Sequence, residues 1–215
     1  MNPSALTIMS EAETLRADLY GVLPSRRAAI LVHGQSWDAD GWKDVAPLLV
    51  ERGVPALALN LRGHGGSTGE TKMIIDDYKA EFTPPASWSP VTDLRAAKTL
   101  LRERGAEQVA LVGSSLGGHA VLASSFDGDA ECVVSQSAPV VPVNDELSRM
   151  IKGRKLFVCA DGDHAAPNVS HTYEVAETPK MLILFGGSEH SRRMFTAPYA
   201  DDLLDAIVSF VARGL

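Results

Sequence analysis

Several things are scarce in this chain, and each scarcity narrows what it can be. Cysteine occurs only twice among 215 residues, as Cys132 and Cys159, and both sit in apolar, strand-like runs. Two such residues make neither a disulfide framework nor a zinc site, so buried reduced thiols are expected. Positive charge is outnumbered: 20 Lys and Arg against 27 Asp and Glu leave a net charge of −7. No basic cluster offers a face to a phosphate backbone, which argues against a nucleic-acid partner. No apolar run approaches the roughly 18 residues that a membrane span requires. Met1 to Leu15 lacks a basic start followed by an apolar stretch, so a secretory signal is not expected and the default location is cytoplasmic. Repeats, low-complexity tracts and linkers are also missing. At this length, with 45% hydrophobic and 22% charged residues, residues 1–215 are expected to form a single domain with a substantial core.

What is present is an alternation. Leu6 to Met9 and Leu15 to Tyr20 read as short strands, the second alternating polar and apolar residues as a half-exposed edge strand does. Ala28 to Val32, Ala56 to Leu61, Val109 to Val112, Cys132 to Ser135, Lys155 to Ala160 and Met181 to Phe185 are continuous apolar runs. Runs of that kind suit strands buried on both faces of a parallel sheet. Between them lie helical candidates. One runs over about Gly41 to Arg52, with Asp40 as N-cap and Pro47 limiting its regular part. Another opens at Ser89-Pro90, with Ser89 as N-cap and Pro90 in the first turn, and ends at Gly105, with Val91, Leu94, Ala97, Leu100 and Leu101 on one face. Others run from the residues after Ser115 to about Phe126, near Asp145 to Ile151, near Val169 to Ala176, and over Asp201 to Ala212. Strand–helix alternation of this kind predicts an α/β fold: a mostly parallel, eight-stranded sheet with helices on both faces. Loops at the carboxyl ends of such strands form the ligand crevice, which places the segments after His33, Asn60, Gly113, Ser135, Ala160 and Phe185 on one rim.

On that rim stands Gly113-Ser114-Ser115-Leu116-Gly117, directly after one apolar strand and directly before a helix. A strand ending in G-x-S-x-G and turning at once into a helix makes a sharp corner, with the central serine in a strained conformation and its hydroxyl exposed. The glycines are needed because a side chain at either position would collide with the neighbouring strand or helix. The plainer reading is a small-residue turn that only joins two elements. A serine nucleophile needs a base, and the base needs an orienting acid. Three histidines follow the corner: His164 and His190 on the rim, and His171 in a helical candidate. Val158-Cys159-Ala160-Asp161-Gly162-Asp163-His164 supplies two carboxylates on the same rim, so the order serine, acid, histidine is available. The acidic cluster lacks further ligands at metal-binding spacing, and no H-x-H-x-D-H pattern occurs, so neither a metal nor a cofactor is expected.

Over essentially its whole length the chain resembles a small α/β-hydrolase-fold serine hydrolase without a large cap domain. His33-Gly34, with Trp42 nine residues after His33, is similar to that family's oxyanion-loop signature. Arg62-Gly63-His64-Gly65-Gly66-Ser67 is similar to its glycine-rich turn. The family's acid lies three residues past a small residue and four before a proline. Ala160, Asp163 and Pro167 fit that spacing, so the resemblance favours Asp163 over Asp161. The family's closing G-x-x-x-H fits Gly186 and His190. Ser135-Gln136-Ser137-Ala138-Pro139, where some relatives carry the acid, holds no carboxylate. The resemblance implies a Ser115–His190–Asp163 triad with backbone N–H groups of Gln35 and Leu116 as oxyanion donors. It makes His33 and His64 braces of the loops beside the site. Trp37, Tyr78, Phe82 and Trp88 are candidate pocket residues, and the stretch from Gly63 to Ser89 is a candidate cover.

Only Gln136 to Arg154 separates two strands where larger relatives insert a multi-helix lid, which suits small-molecule or acylated ester substrates. Thioesterase, lactone or dienelactone hydrolase and peptidase share the machinery, although dienelactone hydrolases typically use a cysteine. A non-catalytic, ligand-sensing protein on the same fold is the reading from another class. Oligomeric state leaves no mark on the sequence.

Overall fold

The structure is a computed structural model that describes residues 2–71, 88–141 and 143–213. Eight strands form one sheet: β1 (Ser4–Ser10), β2 (Glu13–Tyr20), β3 (Ser25–Val32), β4 (Ala56–Leu59), β5 (Ala106–Ser114), β6 (Cys132–Gln136), β7 (Arg154–Ala160) and β8 (Lys180–Phe185). Their spatial order is β1-β2-β4-β3-β5-β6-β7-β8. β2 runs antiparallel to both of its neighbours, and every pairing from β4 across to β8 is parallel. The helices are α1 (Ala46–Glu51), α2 (Ser89–Glu103), α3 (Leu116–Ser124), α4 (Asp145–Met150), α5 (Ala166–Val175) and α6 (Ala200–Ala212).

The period of two along each strand sorts the core into two layers. Ala28, Ile30 and Val32 of β3, with Val109 and Leu111 of β5, join Val91, Leu94 and Leu101 of α2, Val121 of α3 and Val169 of α5. Ala29 and Leu31 of β3, with Ala110 and Val112 of β5, face the other way and meet Leu49 of α1 and Leu203, Ile207 and Val211 of α6. A strand with helices on both faces can afford no polar alternation, which is why these segments read as unbroken apolar runs.

Three local expectations need correction. β2 is not an edge strand: β1 lies outside it. Its alternation comes from a face on which Arg16 stays exposed, opposite the buried Leu15 and Ala17. Asp40 does not cap α1. Asp38 accepts the Asp40 N–H at 3.1 Å and opens a 3₁₀ turn over Ala39–Trp42, and α1 begins only at Ala46. Pro47 therefore falls in the first turn, where a missing N–H removes no intrahelical bond. Likewise Ser89 is the first residue of α2, and Trp88 takes the N-cap position.

One buried ionic knot ties the antiparallel end of the sheet to the rim. Asp93, fully buried on α2, accepts from Arg62 Nη2 at 2.6 Å, from the Arg62 backbone N–H at 3.1 Å and from Ser10 Oγ at 2.7 Å. Arg62 also reaches Glu11 at 3.2 Å, so β1, α2 and the turn after β4 meet at one guanidinium. Removing one partner of a buried pair leaves an uncompensated charge. Asp93→Ala is therefore expected to lower unfolding free energy by about 3–5 kcal/mol, measured by urea denaturation. The exposed pair Arg149–Asp145 should contribute under about 1 kcal/mol by the same measurement.

Candidate active site

The site is built at the carboxyl ends of β3, β5, β7 and β8. At the end of β5 the backbone turns straight into α3 through Ser115, whose φ of 51° and ψ of −115° lie outside the ordinary regions for an L-residue. The turn closes because its flanks lack side chains. A Cβ on Gly117 would sit 2.1 Å from the Val32 carbonyl oxygen, and one on Gly113 would sit 2.2 Å from the Gly117 oxygen. The Ser115 N–H donates to the Gln136 carbonyl at 2.9 Å, which pins the corner to β6.

Ser115 Oγ lies 3.1 Å from Nε2 of His190, in the loop after β8. Nδ1 of the same imidazole faces both oxygens of Asp163, at 3.0 and 2.9 Å. Asp163, in the turn after β7, has a fully buried side chain, whereas that of His190 is 30% exposed. The Ala165 N–H donates to Asp163 Oδ1 at 2.9 Å. Burial pushes this carboxyl up, but the hydrogen bonds from His190 and Ala165 outweigh it and hold the group below its ordinary 3.8. Asp161, the other carboxylate in the segment, turns elsewhere: its Oδ1 accepts the Gly187 N–H at 3.1 Å and ties the turn after β7 to the loop after β8. His171 pairs with Asp145 at 2.8 Å, bridging α5 and α4.

The loop after β3 lies against the serine, since a Cβ on Gly34 would fall 3.3 Å from that of Ser115. His33, fully buried, donates from Nδ1 to the Gly34 carbonyl at 2.7 Å and accepts the Leu61 N–H on Nε2 at 3.1 Å. Those two partners fix a neutral ring with its proton on Nδ1. Because a trans peptide points its C=O and N–H in opposite directions, holding the Gly34 carbonyl turns the Gln35 N–H away from His33. Among the described residues that N–H has no partner. His64 Nε2 donates to the Gln35 carbonyl at 2.8 Å, fixing the next peptide as well. Leu116 is the first residue of α3, so its N–H has no intrahelical acceptor and lies at the positive end of the helix dipole.

Residues 29–212 match the Alpha/beta hydrolase family. The chain belongs to that family. Among solved structures, this alpha/beta hydrolase is similar to a predicted CIB-like hydrolase from Thermoplasma acidophilum: 19% identity, 99% of each chain covered, TM-score 0.78. It is also similar to the Pyrococcus furiosus esterase Pf2001, at 16% identity over 99% of this chain and 92% of that one, TM-score 0.74. A third similar structure is XC6422 from Xanthomonas campestris, a serine hydrolase without lid: 20% identity, 96% and 92% covered, TM-score 0.73. At these identities the likeness is one of fold. No curated protein matches the chain.

Of the candidate pocket residues in this alpha/beta hydrolase, Trp37 is buried in the loop after β3, with its ring 5.3 Å from that of Trp42. Trp88 is buried in the α2 side of the core. Tyr78, Phe82 and most of the candidate cover lie outside the described residues. Asp163, His164 and His190 bring potential ligand atoms within 4.8 Å of one another, but that spacing follows from their hydrogen bonds to each other. Cys132 and Cys159 are unpaired and buried. Burial pushes the Cys159 thiol up to about 12, and it lies 3.5 Å from Asp163 Oδ2.

The sequence reading missed a polar frame behind the histidine. Ser191 donates its N–H to Ser137 Oγ at 3.0 Å, shares a hydroxyl hydrogen bond with Ser114 at 2.8 Å, and accepts from Gln136 Nε2 at 3.1 Å. Ser137 and Ser191 both have positive φ, 53° and 56°. Their only sequence signal is adjacency to β6 and to His190.

Two histidines of the site region are held neutral. Burial lowers His33 from its ordinary 6.5 to about 4. It does the same for His119, whose Nδ1 donates to the Pro139 carbonyl. In the unfolded chain both would take up protons near 6.5, so between about 6.5 and 4 the unfolded state binds more protons and stability rises with pH. The urea midpoint is therefore expected to fall on acidification from pH 6.5 to about 5, above the carboxylate range. A His33→Gln, His119→Gln double variant should lose most of that slope.

Proposed function

We propose that the chain is a serine hydrolase that cleaves carboxylic esters through an acyl-enzyme on Ser115. One observation carries the reading: a serine at a positive-φ strand–helix corner, 3.1 Å from a histidine that is itself 2.9 Å from a buried carboxylate. Family membership supports a hydrolase in the broader sense.

In this reading His190 takes the Ser115 proton as the hydroxyl oxygen attacks the ester carbonyl. Asp163 keeps the imidazole proton on Nδ1, leaves Nε2 free to accept, and stabilises the imidazolium that forms. The carbonyl oxygen becomes an oxyanion and rests on the N–H groups of Gln35 and Leu116, the first aimed by His33 and the second backed by α3. His190 returns its proton to the departing alkoxide. A water molecule, deprotonated by the same nitrogen, then attacks the acyl group and frees Ser115.

Between β6 and β7 the described residues hold one six-residue helix, α4. The lack of a multi-helix lid between β6 and β7 favours short acyl groups or an acyl group carried on something larger. The protein is read as one domain, residues 1–215, without cofactor or metal. The esterases among its structural neighbours make carboxylic esters the first substrates to try.

The test is turnover of p-nitrophenyl esters of graded acyl length, in parallel with thioester and peptide substrates, together with fluorophosphonate labelling. Ser115→Ala should abolish labelling and lower kcat by a factor on the order of 10⁶, and Asp163→Asn by about 10⁴. Leu116→Ala, which keeps the backbone donor, should cost far less than the 10² to 10³ typical of a lost oxyanion contact. Labelling that survives Ser115→Ala would overturn the assignment. Labelling of Ser115 without turnover of any ester, thioester or peptide would point to a ligand sensor.

A further inference from the structure

Asp163 carries more than one imidazole. His164 Nδ1 lies 3.1 Å from Asp163 Oδ1, the same oxygen that accepts from His190 at 3.0 Å and from the Ala165 N–H at 2.9 Å. The rings of His164 and His190 face one another at a centroid distance of 4.5 Å and an interplanar angle of 38°. The Asp163 side chain is fully buried and that of His164 is 77% exposed, so His164 stands between the carboxylate and solvent.

The geometry points to His164 as a positioning residue that acts through Asp163 and His190 and keeps the reaction running into weakly acid solution. This inference rests on the triad reading above. Two imidazoles share one carboxylate, so a charge on either ring is felt by the other. A first proton can settle on exposed His164, where it gains the carboxylate and leaves His190 neutral and able to accept from Ser115. Once His164 is charged, a second proton on His190 meets a like charge one ring-stack away and is disfavoured. Neutral His164 acts in the same direction, because its Nδ1–H uses an Asp163 lone pair that would otherwise stabilise an imidazolium at His190.

The other groups facing the pair are held in contacts of their own. Burial keeps His119 neutral down to about 4, and burial holds the Cys159 thiol protonated up to about 12. Asp161 and Glu189 are carboxylates committed to the Gly187 N–H and the Tyr199 hydroxyl, at 3.1 and 3.0 Å. Ser137 and Ser115 are hydroxyls. Arg192, two residues beyond His190, is a permanent cation over the Trp37 ring at 6.0 Å. His164 is the exposed imidazole that shares the Asp163 carboxylate with His190.

The experiment follows the second-order rate of Ser115 labelling by a fluorophosphonate from pH 4.5 to 8.5 in the wild type, His164→Gln and His164→Lys. The side chain is exposed, so neither substitution opens the core. His164→Gln is expected to move the acid-limb midpoint up by about 0.5–1 unit while changing the plateau rate less than about threefold. His164→Lys, a cation throughout, should leave the midpoint at or below that of the wild type. Raising the salt to 1 M should shrink the difference between the two variants, as screening requires of an exposed charge. Superimposable limbs, or a lysine variant that behaves like the glutamine one, would overturn the inference and leave the triad standing. Failure of Ser115 to label at any pH would overturn both.

Discussion

The contact between the backbone of Gly117 and the carbonyl of Val32 governs this molecule. A β-carbon on Gly117 would lie 2.1 Å from that oxygen, so α3 can start only where it does, pressed against the end of β3. From that approach follow the positive φ of Ser115, the 2.9 Å bond from its N–H to β6 and the closeness of the loop after β3 to its side chain. A corner this tight costs strain. It is held because β3, β5 and β6 are buried on both faces and cannot relax away from it. The parallel sheet is therefore more than a platform: its packing keeps one serine in a conformation it would not choose.

A second constraint is the fully buried carboxylate of Asp163. Removing such a group from water is tolerated only where donors replace the lost hydration. The His190 imidazole and the Ala165 N–H do so here and outweigh burial, and His164 adds a further contact at 3.1 Å. The same need explains Asp93, which collects Arg62, Ser10 and a backbone N–H at the other end of the rim. In one case the donors include an imidazole beside a half-buried serine hydroxyl. In the other they include a guanidinium, which cannot give up its proton. The two sites solve the same desolvation problem, and only the first leaves a proton free to move.

Much of this was legible in the residues, and the reasons differ from place to place. The strands from β3 to β7 showed as apolar runs because burial on both faces removes any alternation; β8 read the same way, but it is an edge strand that leaves Met181 and Leu184 exposed. The closeness of Ser115, Asp163 and His190 could be read because the parallel topology sends their loops to one rim. α1 read poorly because its regular part is short: Asp38 caps a separate 3₁₀ turn, and Pro47, which looked like an interruption, begins the helix. β2 read as an edge because Arg16 stays exposed between the buried Leu15 and Ala17, the same alternation an edge strand shows. The frame of Ser137 and Ser191 was invisible. Both are serines with positive φ, a conformation with no preference for serine that sequence could reveal. The contact between His164 and Asp163 was hidden for the opposite reason: neighbouring residues on a turn need not face the same way.

The histidines make the point about roles most clearly. His33 has a carbonyl on one nitrogen and a backbone N–H on the other, so its tautomer is locked and a second proton would break the Leu61 bond. His119 is held neutral by burial, with its N–H on a backbone carbonyl. Neither ring can gain a proton without losing structure. His190 alone has a carboxylate on one side and a hydroxyl on the other, and in that arrangement either protonation state keeps both contacts. A ring that is to change charge without moving needs partners of this kind, and here they come from two different strand ends. What sets it apart from the other imidazoles nearby is which atoms the fold has placed at its two nitrogens.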